Sequence, residues 1–158
     1  VGARPELAPQ VLADYMPDYA QNCRVNTHPY AGIPEALAGL AARGLKICVL
    51  TNKDQSDAEH ILAYYFPAVH FSAVRGRVPG VALKPHPQGA LLIAKALEIA
   101  PEDFWYVGDT RMDMLCGNAA GMETIGVLWG FRPRAELTES GAKHLAKNAA
   151  ELLQIVDG

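Results

Sequence analysis

The sequence has little of what marks several large classes of protein. Its three cysteines show no CxxC spacing, which argues against a zinc ribbon or a dithiol redox motif and favours reduced thiols in a cytoplasmic protein. No apolar run approaches the roughly 18 residues of a membrane span, so we predict no membrane segment. The formal charge of -3 provides no basic stripe for nucleic acid and no polybasic patch for lipid. We therefore expect a cytoplasmic protein that binds a small molecule or another protein.

The chain has the material for one well-cored domain, since it has 158 residues of which 50% are hydrophobic. It begins with Val1 instead of methionine. We therefore expect either that its start has been processed or that it belongs to something longer.

Strand and helix patterns alternate along the sequence. Residues 5–24 read as helical material broken by Pro9 and Pro17. Short apolar runs predict strands at 46–50, 69–73, 104–107 and 124–128, and amphipathic spacing predicts helices at 33–43, 56–65, 88–98, 112–120 and 149–156. Strands separated by helices of this length indicate an α/β fold with a parallel sheet flanked by helices.

Polar candidates lie where predicted strands end, which is where open parallel sheets bind ligands. Thr51 and Asn52 follow the first predicted strand and could grip phosphate oxygens, although Thr51 could equally cap the following turn. Lys84 lies between prolines in a later loop, where an ammonium group could neutralise phosphate charge. A lone loop lysine is more often simply solvated.

Asp109 and Asp113 form the most specific pattern, because Gly108 ends a strand and the two acids then fall on one side of the following turn. Paired carboxylates at such a position suit Mg²⁺, which takes oxygen ligands. The alternative is that one of these residues caps the helix and Asp113 is a favourable first-turn acid.

Three segments in this order resemble motifs two, three and four of the haloacid dehalogenase superfamily: residues 49–53, 83–87 and 107–114. Residues 30–34 and 126–131 are similar to the phosphoglycolate phosphatase group within it. The resemblance implies a Rossmann-like core and Mg²⁺-dependent hydrolysis of a small phosphomonoester through an aspartyl-phosphate. It also implies that Thr51 binds the phosphoryl group, Lys84 neutralises it, Asp109 holds the metal and Asp113 supports that site.

One departure from the resemblance concerns the family's first motif, an Asp-x-Asp after the opening strand that supplies the nucleophile. No two aspartates of this sequence stand two residues apart. We therefore expect that the nucleophile, the central first strand and most of the helical cap are missing, with residues 1–25 a remnant of the cap and residues 26–158 a partial core domain. The strands that end near Thr51 and Asp109 should then have unpaired inner edges. A homodimer or a strand from another chain could close that gap.

Two classes of function remain open. The chain could be the C-terminal part of a phosphatase for a small phosphorylated metabolite, inactive as given, or a non-catalytic phosphate- and metal-binding or assembly module. A phosphoacceptor receiver domain fits less well, because its phosphorylated aspartate follows a middle strand, whereas Thr51 occupies that position here. The substrate stays open between phosphoglycolate, a nucleotide and a sugar phosphate.

Overall fold

The computed structural model describes residues 4–22, 25 and 27–158. Its elements alternate as predicted. In chain order they are a 3-10 turn (Pro5–Leu7), α1 (Ala8–Asn22), α2 (Ile33–Ala42), β1 (Ile47–Asp54), α3 (Gln55–Tyr65), β2 (Phe71–Arg77), α4 (Gln88–Leu97), a second 3-10 turn (Pro101–Asp103), β3 (Trp105–Gly108), α5 (Arg111–Ala119), β4 (Glu123–Val127), α6 (Arg134–Glu139), β5 (His144–Ala146) and α7 (Ala149–Asp157).

The strands form two parallel sheets, which confirms the α/β prediction. One sheet has the order β1-β2 and the other the order β3-β4-β5. Between the described residues of these sheets no strand pairing connects β1 to β3. The single sheet suggested by the alternating pattern is therefore divided between the strands that end near Thr51 and Asp109.

Helix α4 connects the two sheets through the core. Ala90 and Ala94 on this helix pack with Cys116 of α5, and Leu50 of β1 and Tyr106 of β3 lie against the same cluster. Because buried apolar contacts provide most of the stabilisation of a domain, this cluster holds the two sheet edges in a fixed relation. A second cluster centres on β4.

Several element boundaries differ from the predictions. Helix α1 continues through both prolines, and Pro9 is accommodated because the first helical turn needs no N–H bond at that position. Strand β1 extends to Asp54, whose carboxylate receives two hydrogen bonds from Arg77 at the end of β2. The elements α6 and β5 were not predicted.

Three further predictions concern membrane spans, cysteines and the domain division. None of the helices in the described part of the chain has the length and apolarity needed to cross a bilayer. Cys23 lies outside the described residues, and Cys48 and Cys116 are free thiols. The division into a cap remnant and a core stays a prediction.

Candidate functional site

Three of the five predicted site residues line a cleft of about 250 Å³ between the two sheets, and Thr51 and Asn52 line a smaller pocket that shares Leu50 and Lys84 with it. Cys48 and Leu50 of β1 line one side, and residues 105–108 of β3 line the other. We call this space the β1–β3 cleft. Lys84, Asp109 and Asp113 lie along it near the carboxyl ends of both strands. The expectation that strand ends bring these three side chains together agrees with their positions.

Lys84 forms an ion pair with Asp113 inside this cleft. Its Nζ lies 2.7 Å from Asp113 Oδ1 and 3.2 Å from the carbonyl oxygen of Leu50. The two side chains are only 16% and 8% exposed, so the pair is largely removed from water. A compact ammonium is thereby fixed in the lining of the cleft instead of moving in solvent.

The other carboxylate oxygen of Asp113 caps the start of α5. Oδ2 accepts hydrogen bonds from the Thr110 backbone N–H at 3.1 Å and from the Thr110 hydroxyl at 2.7 Å. One oxygen of Asp113 therefore caps the helix, as the capping alternative requires, while the other binds Lys84, as the functional interpretation requires. Asp113 therefore both caps α5 and orients Lys84, and its role as a metal ligand stays a prediction.

Gly108 permits the close approach of Asp113 to the end of β3. A Cβ atom added to Gly108 would lie 2.2 Å from Asp113 Cβ, far inside van der Waals contact. Glycine at position 108 is therefore required by the contact with Asp113 as well as by the tight turn after β3.

Asp109 is held by the turn after β4. Its Oδ2 accepts a hydrogen bond of 2.9 Å from the Phe131 backbone N–H. A Cβ on Gly130 would lie 2.2 Å from Asp109 Cβ, so this approach also requires glycine. The sequence indicated no contact for residues 129–131, which belong to the segment 126–131 that resembles the phosphatase group.

Asn52 has a contact that the sequence did not indicate. Its Oδ1 accepts the Lys84 backbone N–H at 2.9 Å, and its Nδ2 donates to the Lys84 carbonyl oxygen at 3.2 Å. The side-chain amide therefore clamps the backbone of Lys84, which precedes a cis proline. We consequently expect Asn52 to contribute to a ligand site through its backbone and through the placement of Lys84.

Thr51 lies at the same edge of the sheet, where its Oγ1 accepts the Lys53 backbone N–H at 3.2 Å. This is the turn contact that the alternative interpretation of Thr51 requires. The hydroxyl hydrogen is not used in that bond and can be donated to a ligand oxygen. Lys53 also contacts the Tyr19 hydroxyl of α1, so α1 lies close to this corner.

The thiol and phenol that line the cleft are not activated. Burial raises the pKa of the Cys48 thiol, and burial raises the pKa of the Tyr106 phenol far above its usual range. Both groups are therefore protonated near neutral pH, and a protonated thiol is a poor nucleophile. Neither Cys48 nor Tyr106 is therefore an activated nucleophile.

Metal binding at the site would rest mainly on Asp109. Among the residues described, no group of three or more His, Cys, Asp or Glu side chains is arranged to hold a metal ion. Asp109 has a second carboxylate oxygen, Oδ1, to which the described residues donate no hydrogen bond. One carboxylate oxygen fits part of a magnesium site, because Mg²⁺ binds few protein carboxylates and keeps water and phosphate ligands.

Comparison with known families decides the assignment. Residues 3–127 match the family model described as haloacid dehalogenase-like hydrolase. The chain belongs to the haloacid dehalogenase-like hydrolase family. This confirms the resemblance inferred from the three motifs, and it makes the chain a hydrolase by family.

Curated relatives of this haloacid dehalogenase-like chain include phosphatases. A phosphoglycolate phosphatase of Escherichia coli K12 is 32% identical over 113 residues, which is 72% of this chain and 45% of the relative. An N-acetylmuramic acid 6-phosphate phosphatase of Pseudomonas aeruginosa is 30% identical over 154 residues, covering 97% of this chain and 68% of the relative. The chain thus spans less than half the length of the E. coli phosphatase.

A solved structure supports the same fold. A Lactobacillus delbrueckii protein assigned as a phosphoglycolate phosphatase superposes with a TM-score of 0.91 at 27% identity, covering 97% of this chain and 64% of that one. The two parallel sheets and their helices therefore belong to the arrangement found in this family.

Proposed function

We propose that this chain carries the phosphoryl- and metal-binding corner of a Mg²⁺-dependent cytoplasmic phosphatase for a small phosphorylated metabolite. The observation that carries the proposal is the buried Lys84–Asp113 pair beside Asp109, at the carboxyl ends of β1 and β3. The fixed Lys84 ammonium can neutralise phosphate charge, and the Asp109 carboxylate remains as an oxygen ligand for a metal ion.

Each side chain has a distinct role in this proposal. Thr51 donates its hydroxyl and a backbone N–H to phosphate oxygens, and Lys84 neutralises the charge that develops on them. Asp109 would hold Mg²⁺, which would supply charge stabilisation at the transferring phosphoryl group. Asp113 and Asn52 keep Lys84 in position from its two ends, side chain and backbone.

The 158 residues contain no Asp-x-Asp; of the two acids at the cleft, Asp113 pairs with Lys84 and Asp109 is the proposed metal ligand. Hydrolysis through an aspartyl-phosphate requires a carboxylate that attacks phosphorus. We therefore expect binding without turnover from these residues alone. The lack of an attacking carboxylate favours a second candidate, a non-catalytic phosphate- and metal-binding module. An added carboxylate should restore hydrolysis if the chain is part of a phosphatase, and should not if it is a binding module.

The names of two relatives support a proposal for the substrate class. Phosphoglycolate and N-acetylmuramic acid 6-phosphate, the compounds in the relatives' names, are both phosphomonoesters that carry a carboxylate. We propose a small phosphorylated organic acid as the substrate class.

Calorimetric titration with Mg²⁺ in the presence of inorganic phosphate tests the binding part. Replacing Asp109 by Asn removes one charge at nearly constant volume, so the affinity for Mg²⁺ should fall by about tenfold or more. Thr51→Val should weaken phosphate binding while leaving Mg²⁺ binding in the absence of phosphate unchanged. Asp157→Asn, at an exposed ion pair with Arg43, is the matched control. Unchanged Mg²⁺ affinity in the Asp109→Asn variant would contradict the proposal.

A further inference from the structure

Arg75 of β2 is a cation without a counter-charge. Its side chain is partly buried, and its Nε is buried with no hydrogen-bond partner. In the described part of the chain the guanidinium forms no hydrogen bond and no ion pair. By contrast, Arg43, Arg77 and Arg132 are more exposed, and each pairs with a carboxylate. A cation partly removed from water without a partner is costly, so an anion that reached Arg75 would be stabilised.

Arg75 lines the smaller pocket beside the β1–β3 cleft, and we call this space the Arg75 pocket. Its volume is about 10 Å³, close to what one water-sized oxygen needs. Leu50 is the partner of Arg75 in the pairing of β1 with β2, and a Cβ on Gly89 of α4 would contact both side chains. The described residues of the lining include Arg75 and Lys84 but no Asp or Glu. Lys84 already pairs with Asp113, so an added anion would balance the charge of Arg75.

The side-chain acceptors in the lining of the Arg75 pocket already have donors. Oγ1 of Thr51, Oδ1 of Asn52 and Nδ1 of His86 each accept a hydrogen bond from a backbone N–H. None of these three atoms accepts a hydrogen bond from Arg75 in the described part of the chain. An oxygen atom from a ligand would therefore supply the acceptor that these side chains do not.

We propose that the Arg75 pocket binds a carboxylate group, with Arg75 as the cation that recognises it. A planar guanidinium matches the planar carboxylate in shape and charge. Space for a single oxygen admits the edge of a carboxylate more readily than a tetrahedral phosphate. The Nη groups would make the contact, because Nε is buried in the wall of the pocket.

The carboxylate can come from two sources. The first rests on the proposed function and is the substrate itself. The Arg75 pocket shares Thr51 and Lys84 with the proposed phosphoryl site, so a small phosphorylated organic acid would place its phosphoryl group there and its carboxylate at Arg75. The second source is a separate small carboxylate that binds beside the substrate.

Titration of the 158-residue protein with glycolate, which has a carboxylate and no phosphate, tests the pocket. At constant ionic strength set with chloride, glycolate should shift the side-chain Nε–H NMR signal of Arg75 saturably. Arg75→Met keeps an apolar stem without the charge, and should weaken glycolate binding by about tenfold or more, followed on the backbone amides of Gly76 and Gly89. Arg77→Met, which removes an exposed cation from the same strand, is the matched control and should bind glycolate like the parent.

Further results decide whether Arg75 recognises a carboxylate. Arg75→Met should be as stable as the parent, because it removes a buried donor that has no partner. Arg75→Lys keeps the charge without the planar fork and should recover only part of the glycolate affinity. No shift of the Arg75 signal, or equal glycolate affinity in the parent and Arg75→Met, would contradict the pocket. Equal weakening of inorganic phosphate binding in Arg75→Met would show a general anion site and contradict the preference for carboxylate.

Phosphoglycolate and ethyl phosphate, which lacks the carboxylate, distinguish the two sources. If the substrate supplies the carboxylate, the parent should bind phosphoglycolate about tenfold or more tightly than ethyl phosphate, and Arg75→Met should remove the difference. If a separate anion supplies it, glycolate and ethyl phosphate should bind together, with no preference for phosphoglycolate.

The same titrations separate the Arg75 pocket from the proposed function. Glycolate binding at Arg75 without Mg²⁺ or phosphate binding would contradict the proposed function and support the pocket. Mg²⁺ and phosphate binding without a response of Arg75 to glycolate would contradict the pocket alone.

Discussion

Replacing Asp113 by Asn should lower the free energy of unfolding by about 3–5 kcal/mol, because the Lys84 ammonium then stays buried without its counter-charge. The Lys84 and Asp113 side chains are 16% and 8% exposed, so water can replace the lost carboxylate only in part. Asn keeps an oxygen that can accept from Thr110, so most of the loss should come from the ion pair. Urea denaturation followed by circular dichroism measures the change.

Two further variants identify the cause. Asp157→Asn removes the carboxylate of the exposed pair with Arg43 and should change the stability far less. Adding Lys84→Met to Asp113→Asn removes the uncompensated charge and should recover part of the loss. If Asp113→Asn lowers the free energy of unfolding as little as Asp157→Asn does, the Lys84–Asp113 pair does not behave as a buried ion pair.

Replacing Gly108 by Ala should lower the free energy of unfolding by about 2–3 kcal/mol and disturb the Lys84–Asp113 pair. The added methyl would lie 2.2 Å from Asp113 Cβ, so the start of α5 must move away from β3. Phosphate affinity should fall in the same variant, because Lys84 loses its partner. Thermal denaturation and phosphate titration measure the two effects.

Gly39→Ala is the control for this prediction. A Cβ at Gly39 of α2 would meet the flexible end of Arg43 at 3.1 Å and lie in ordinary contact with the Leu153 methyls at 3.7 and 3.8 Å. The variant should therefore be as stable as the parent or up to about 1 kcal/mol more stable, since alanine favours helix. Similar destabilisation of both variants would show that the contact between Gly108 and Asp113 has no special role.

The sequence was sufficient to place Lys84, Asp109 and Asp113 together, because the carboxyl ends of parallel strands meet at one edge of a sheet. It could not show that Asn52 holds the Lys84 backbone or that residues 130–131 hold Asp109. These contacts join segments that are far apart in the chain, and their geometry depends on how those segments pack. Strand β5 has only three residues, which is too short for a periodic pattern to show.

The central claim is that these residues form a phosphoryl- and metal-binding corner without its nucleophile. Hydrolysis of p-nitrophenyl phosphate by the purified 158-residue chain, with and without Mg²⁺, tests it most directly when the Asp109→Asn variant is assayed beside it. The account predicts that neither protein raises the rate above that of buffer. Saturable Mg²⁺-dependent turnover by the parent chain, abolished by Asp109→Asn, would contradict it.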